Sequence, residues 1–205
     1  MNMPSLALAL EDFYQISQRH PEQVLGSFEK RAQPRLLPQL PSVRLSPELG
    51  YLYSHYHCDA LFGHPSIAFT SFEELERRQE GFATYSTDGG RTLHPNPDWN
   101  PAWTVFADVN DDPIVADTGT AGTPVYAAIE AVDYELIAPS LAIFFTMLTQ
   151  MMAVTASLKA QQPTSDDTEE RITFKEEVEI PAVLKQMATV ADSQYVRALG
   201  YFLYS

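Results

Sequence analysis

The spacing of apolar and polar positions changes several times along this chain, and each change marks an element. Helical spacing over 6–18 and again over 22–31 predicts two short helices, split by His20-Pro21. A proline-rich linker with Pro34, Pro38, Pro41 and Pro47 follows. Ser46 before Pro47 is a helix start, with Ser46 as N-cap, and that helix should run to about Cys58. Residues 66–70 read as a strand. Ser71-Phe72-Glu73-Glu74 reads as a capping box, which predicts a helix carrying Phe72, Leu75 and Gln79 and stopping at Gly81.

The middle of the chain turns to short strands. Asp88-Gly89-Gly90 is a turn and 94–101 a loop rich in Pro and Asn. Residues 103–107 have strand character, Asn110-Asp111-Asp112 is a hairpin turn, and 114–116 returns as a second strand. A loop over 119–122 precedes a third strand over 124–129. Then come 23 consecutive uncharged residues, 136–158. That length is enough to span a bilayer. The polar Ser140, Thr146, Thr149, Gln150, Thr155 and Ser157, with no basic cluster at either end, favour a core helix. Pro139 should sit in its first turn, and Leu141, Phe144, Phe145, Leu148 and Met152 on its buried face. Residues 162–170 are a polar, acidic linker. Beyond it, Val183, Leu184, Met187 and Val190, then Tyr195, Leu199 and Phe202, keep helical spacing.

This order of elements predicts an α+β fold, a largely antiparallel sheet flanked by helices, with extra helices at both termini. Three segments are expected: N-terminal helices and linker over 1–45, the α+β domain over 46–160, and an acidic linker with a helical extension over 161–205.

Charge sharpens the picture. The net charge is −14, and from Thr92 to Leu158 there is no Lys or Arg against eight acids: Asp98, Asp108, Asp111, Asp112, Asp117, Glu130, Asp133 and Glu135. A nucleic-acid binder needs a basic footprint, and an anionic membrane would repel this surface, so neither partner is expected. The expected partner is a basic protein. Cys58 is the single cysteine, which excludes an internal disulfide and fits a reducing compartment. Residues 6–10 are apolar but short and lack a basic lead, so a cytoplasmic location is expected.

Candidate chemistry is sparse. His55, His57, Cys58 and His64 are zinc-ligand types close in sequence, but on a helix His55 and His57 would point in nearly opposite directions. Asp108, Asn110, Asp112 and Asp117 mimic a calcium loop, yet Pro113 holds the position that needs glycine and the closing Glu is missing. No nucleophile elbow, phosphate loop or zinc-protease motif is present. No catalytic residue, metal or cofactor is expected. Trp103 should pack in the core, while Trp99, in a loop beside Asp98, is the better anchor for a basic partner.

An ordered set of segments carries a resemblance. Ser46-Pro47-Glu48 opens a tyrosine-rich helix, and FTSFEELERRQEGF follows at 69–82. Trp99 and Trp103 precede Val-Phe-Ala-Asp, an Asn-Asp-Asp-Pro turn leads into Ile-Val-Ala-Asp, and Gly-Thr-Pro-Val-Tyr spans 122–126. Ile-Ala-Pro-Ser-Leu at 137–141 opens the long helix. Residues 46–152 thereby resemble the SUKH superfamily of fungal cell-wall-assembly regulators and bacterial toxin-immunity proteins. One departure is Asp111, where relatives usually carry Gly. The resemblance implies a twisted sheet flanked by helices, binding in a groove, and for bacterial members neutralisation of a toxin, commonly a nuclease. Trp103, Asp112, Asp117 and Tyr126 match the family's characteristic positions. Together these readings make Asp98, Trp99, Trp103, Asp108, Asp111, Asp112, Asp117 and Tyr126 the candidate partner-binding residues. The alternatives are a regulatory adaptor and, less favoured, a metal-dependent hydrolase.

Overall fold

A computed structural model describes residues 5–63, 66–87, 89, 92–163 and 168–204. The chain is α+β, built on a seven-stranded antiparallel sheet of order β1-β2-β3-β6-β7-β8-β9. The strands are β1 (Val24–Lys30), β2 (Tyr56–Phe62), β3 (Ile67–Phe69), β6 (Trp103–Val109), β7 (Asp112–Asp117), β8 (Val125–Ile129) and β9 (Val132–Ala138). β4 (Thr84–Ser86) and β5 (Leu93–Pro95) form a separate small sheet.

Helices α1 (Leu6–Arg19) and α3 (Leu141–Leu158) pack against each other on one face of the large sheet. The cause is a dense set of aromatic side chains. Phe13 of α1 meets Phe28, Phe62 and Phe145 with ring centroids 5.3, 4.8 and 5.2 Å away, and Phe69 stacks on Phe145 at 5.5 Å. Such pairs add to the area they bury. Leu141, Phe144, Phe145, Leu148 and Met152 are all buried, as their spacing predicted. Residues Leu141–Gln161 are long and apolar enough to cross a membrane, but 56% of the most apolar window is buried against the rest of the chain. The C-terminal helices α4 (Thr168–Phe174), α5 (Ile180–Met187) and α6 (Ser193–Tyr204) follow. α5 packs on α3, and α6 packs on α5, β8 and β9.

Several expectations are corrected. Residues 22–31 are not a helix: after one 3₁₀ turn they become β1, paired with β2 along all seven residues. Gly26 decides this. It has φ +105°, and a Cβ there would lie 2.4 Å from the Asp59 carbonyl oxygen. The helix from Ser46, α2 (Pro47–His55), stops short of Cys58 because Tyr56 already belongs to β2. The capping box does not form. Ser71 caps nothing with its side chain, and the segment makes two 3₁₀ turns, Phe72–Glu74 and Arg77–Gln79. Its Glu74 carboxylate is taken by Arg77 instead. Part of the loop expected at 94–101 lies in β5.

Unforeseen β9 occupies the approach to α3, so Pro139 lies outside that helix and Ser140 caps it, accepting from Ile143 N at 3.2 Å. Within the expected acidic linker, Thr168, Glu169 and Glu170 belong to α4, while 164–167 lie outside the described residues. So do Asp88 and Gly90 of the expected Asp-Gly-Gly turn. The hairpin turn between β6 and β7 is as expected: Asn110 and Asp111 take φ +52° and +71°, the left-handed pair that a two-residue hairpin requires.

Candidate functional site

The helices cover one face of the sheet; the candidate site lies on the other. Side chains alternate across a strand, so Ile114 and Ala116 of β7 enter the main core while Val115 and Asp117 face outward. Trp103 opens β6 opposite Asp117 and faces outward too. It is half-buried and lies outside the main core, which corrects the expectation for this residue. Its ring packs on Tyr126 of β8 at 5.3 Å and Tyr134 of β9 at 4.9 Å. Trp99 stands edge-on to Trp103 at 5.7 Å and to Tyr134 at 5.9 Å.

The loop that delivers Trp99 is held by two asparagines. Asn96 donates through Nδ2 to Phe82 O at 2.8 Å and accepts from Asp98 N at 3.1 Å. Asn100 accepts from Ala102 N at 3.0 Å. These side-chain turns leave Asp98 exposed and Trp99 half-buried, with its indole N–H donating to Trp103 O at 3.3 Å. Sequence reasoning missed Tyr134. Its signal was the alternation of Tyr134 and Leu136 within β9, obscured by the apolar run that follows. The Tyr134 hydroxyl is buried without a partner among the described residues, and burial pushes it up to about 12.

The acids divide into two kinds. Asp112 accepts from Glu130 N at 2.6 Å, tying together the β6–β7 and β8–β9 turns. Asp117 accepts from Gly119 N at 2.9 Å and Thr120 Oγ1 at 2.8 Å, shaping the loop at the other end of β7. Asp108 accepts from Asp111 N at 3.2 Å and faces Arg78 at 2.8 Å. Burial raises the Asp108 carboxyl above its ordinary range, and Arg78 opposes that shift. Arg78 also reaches Asp111 at 3.6 Å. A cation outside the acidic stretch in sequence therefore stands against it in space. Only Asp98 and Asp111 of the candidate acids are exposed.

The structure brings Trp99, Trp103 and Tyr126 together, with Asp98 beside Trp99 in the loop. It sets Asp108, Asp111 and Asp112 at one end of β7 and Asp117 at the other. A second missed residue, Gln79, is 3% exposed and completes the edge of β6 where short β3 ends. It accepts from Val105 N at 3.0 Å and donates to Val105 O at 2.9 Å, as a neighbouring strand would.

The zinc-ligand types do not converge. His55 ends α2, with Nδ1 2.9 Å from Tyr51 O and its ring stacked on Tyr51 at 3.8 Å. His57 and Cys58 sit on β2, where neighbours face opposite sides; Cys58 is buried and its thiol is pushed up by burial. His64 lies outside the described residues. Among the described residues no group of three or more His, Cys, Asp or Glu side chains is placed to hold a metal ion.

No protein-family model, curated protein or solved structure matches the chain.

Proposed function

We propose that this chain is a SUKH-type immunity protein: a non-catalytic, cytoplasmic protein that binds a cognate secreted toxin domain and blocks it. The observation carrying this reading is the aromatic patch of Trp99, Trp103, Tyr126 and Tyr134 on the sheet face away from the helices. Half-buried Trp and Tyr at a rigid sheet surface supply large contact area at low entropic cost, the profile of an interface hot spot. Exposed Asp98 and Asp111 lie outside the patch, and the net charge of −14 favours encounter with a basic partner. A toxin that holds phosphates carries the complementary charge. Asp108, Asp112 and Asp117 serve chiefly as turn-builders in this reading, which also supports binding over acid–base catalysis.

The test is a pull-down with the tagged protein from the producing cells. The captured protein is then expressed in a host lacking this chain. Growth arrest, relieved by co-expressing this chain but not its Trp99→Ala/Trp103→Ala form, is the expected result. Capture of a non-toxic housekeeping protein would replace immunity with an adaptor role. Association should slow at high salt; a salt-insensitive rate would remove the electrostatic part of the reading.

A further inference from the structure

A second surface lies at the far edge of the sheet, on the helix side. β9 is the terminal strand, so among the described residues one row of its backbone N–H and C=O groups has no strand beyond it. Beside it a groove of about 270 Å³ opens between β8, β9 and α6, floored by Ala127, Ile129 and Ile137 and walled by Tyr201 and Phe202. Two large apolar side chains stand at its lip: Val132 is 60% exposed and Tyr201 66%. Asp133 and Glu135 project into the same groove from β9. Among the described residues neither forms an ion pair, and the single cation of α6, Arg197, pairs with neither.

We infer that this edge receives an extended basic segment of a protein partner, which adds to the sheet as a further strand. Its backbone pairs with β9, Lys or Arg side chains two residues apart meet Asp133 and Glu135, and an apolar side chain next along the same face enters the groove. Strand addition gives affinity through backbone hydrogen bonds and selectivity through alternate side chains. The charges argue against a second copy of this chain as occupant. Two β9 edges brought together would set Asp133 and Glu135 against the same acids, and like charges across strands repel. The groove lies on the opposite side of the sheet from Trp99 and Trp103, so this inference stands or falls separately from the immunity reading.

The test uses the full chain, isotopically labelled, titrated with the peptide Thr-Lys-Val-Lys-Val-Leu-Thr and with its Glu-for-Lys counterpart. Amide shifts confined to Val132–Ala138 and residues 198–202, from the Lys peptide alone, are expected. Asp133→Asn with Glu135→Lys should weaken binding about tenfold or more. Tyr201→Ala should weaken it independently of charge. Equal binding of the Glu peptide, shifts centred elsewhere, or no shift at millimolar peptide would overturn the inference. So would β9 amides already protected by self-association of the free protein.

Discussion

The Thr123 hydroxyl lies 2.6 Å from Ser46 Oγ, across 77 residues of sequence. Ser46 also accepts from Leu49 N at 3.0 Å, capping α2, and Glu48 reaches both Thr123 Oγ1 at 3.0 Å and Gly122 N at 3.2 Å. The Ser-Pro-Glu and Gly-Thr-Pro segments are thus two halves of one joint that pins α2 to the β7–β8 loop. Thr123 is fully buried there with φ +54°.

This joint predicts coupled losses of stability. Ser46→Ala removes the cap and should cost about 1 kcal/mol. Thr123→Val keeps the shape but deletes the hydroxyl, and should cost about 1–2 kcal/mol. Because the two share one hydrogen-bond network, the double variant should lose less than the sum, by roughly 0.5 kcal/mol or more. Urea unfolding of all four forms measures this; strict additivity would show that the joint is not a unit.

Gly26→Ala should destabilise by roughly 2–3 kcal/mol, since it combines a strained backbone with a collision against the neighbouring strand. The collision is with the Asp59 carbonyl oxygen, 2.4 Å from the added Cβ. Thermal unfolding reads the loss, and native-state amide exchange should place it at β1 and β2. An unchanged melting temperature would mean that β1 can separate without cost.

The Arg78–Asp108 pair predicts a pH-dependent penalty. Burial raises the folded-state carboxyl of Asp108, so the folded protein holds that proton to higher pH than the unfolded chain does. Stability linked to this group is fullest below the unfolded carboxylate range and is lost as pH rises through the folded value. Removing Arg78 takes away the cation that opposes the shift, extending the window of loss upward. Arg78→Met should therefore cost about 1–3 kcal/mol at neutral pH and less near pH 4. Asp108→Asn in the same background should recover much of it. A penalty independent of pH would assign Arg78 a packing role alone.

How much of this was written legibly in the chain follows from range. The β6–β7 hairpin and α3 are local: Asn110-Asp111 carries the left-handed pair, and α3 shows its buried face through spacing. β1 was illegible because its short apolar pattern fits either period, and the deciding contact, Gly26 against Asp59, lies on another strand. The capping box does not form because its segment makes two 3₁₀ turns in place of an α-helix, a choice its four residues alone do not encode. At the site, Trp99 and Trp103 were visible as residues, but their meeting with Tyr134 depends on the sheet's order. Arg78 shows the same limit for charge: a cation far upstream of Asp108 in sequence reaches it in space.

Buried tyrosines, together with the buried Cys58 thiol, set the alkaline limit. Burial raises Tyr56 and Tyr134 to about 12, and raises Tyr53 and Tyr204 as well. Unfolded tyrosine ionises near pH 10. Between those values the folded chain keeps protons that the unfolded chain has lost, so stability must fall as pH rises from about 10. Absorbance titration should show several of the ten tyrosines ionising late, together with unfolding. Tyr134→Phe removes one such group. Its hydroxyl is buried without a partner among the described residues, so the change should be neutral or stabilise by up to about 1 kcal/mol at pH 7. It should also reduce the alkaline loss while leaving the ring packed against Trp103. A clear destabilisation at neutral pH would instead show that the hydroxyl makes a bond, and that the aromatic patch is held by polar contacts as well as by its rings.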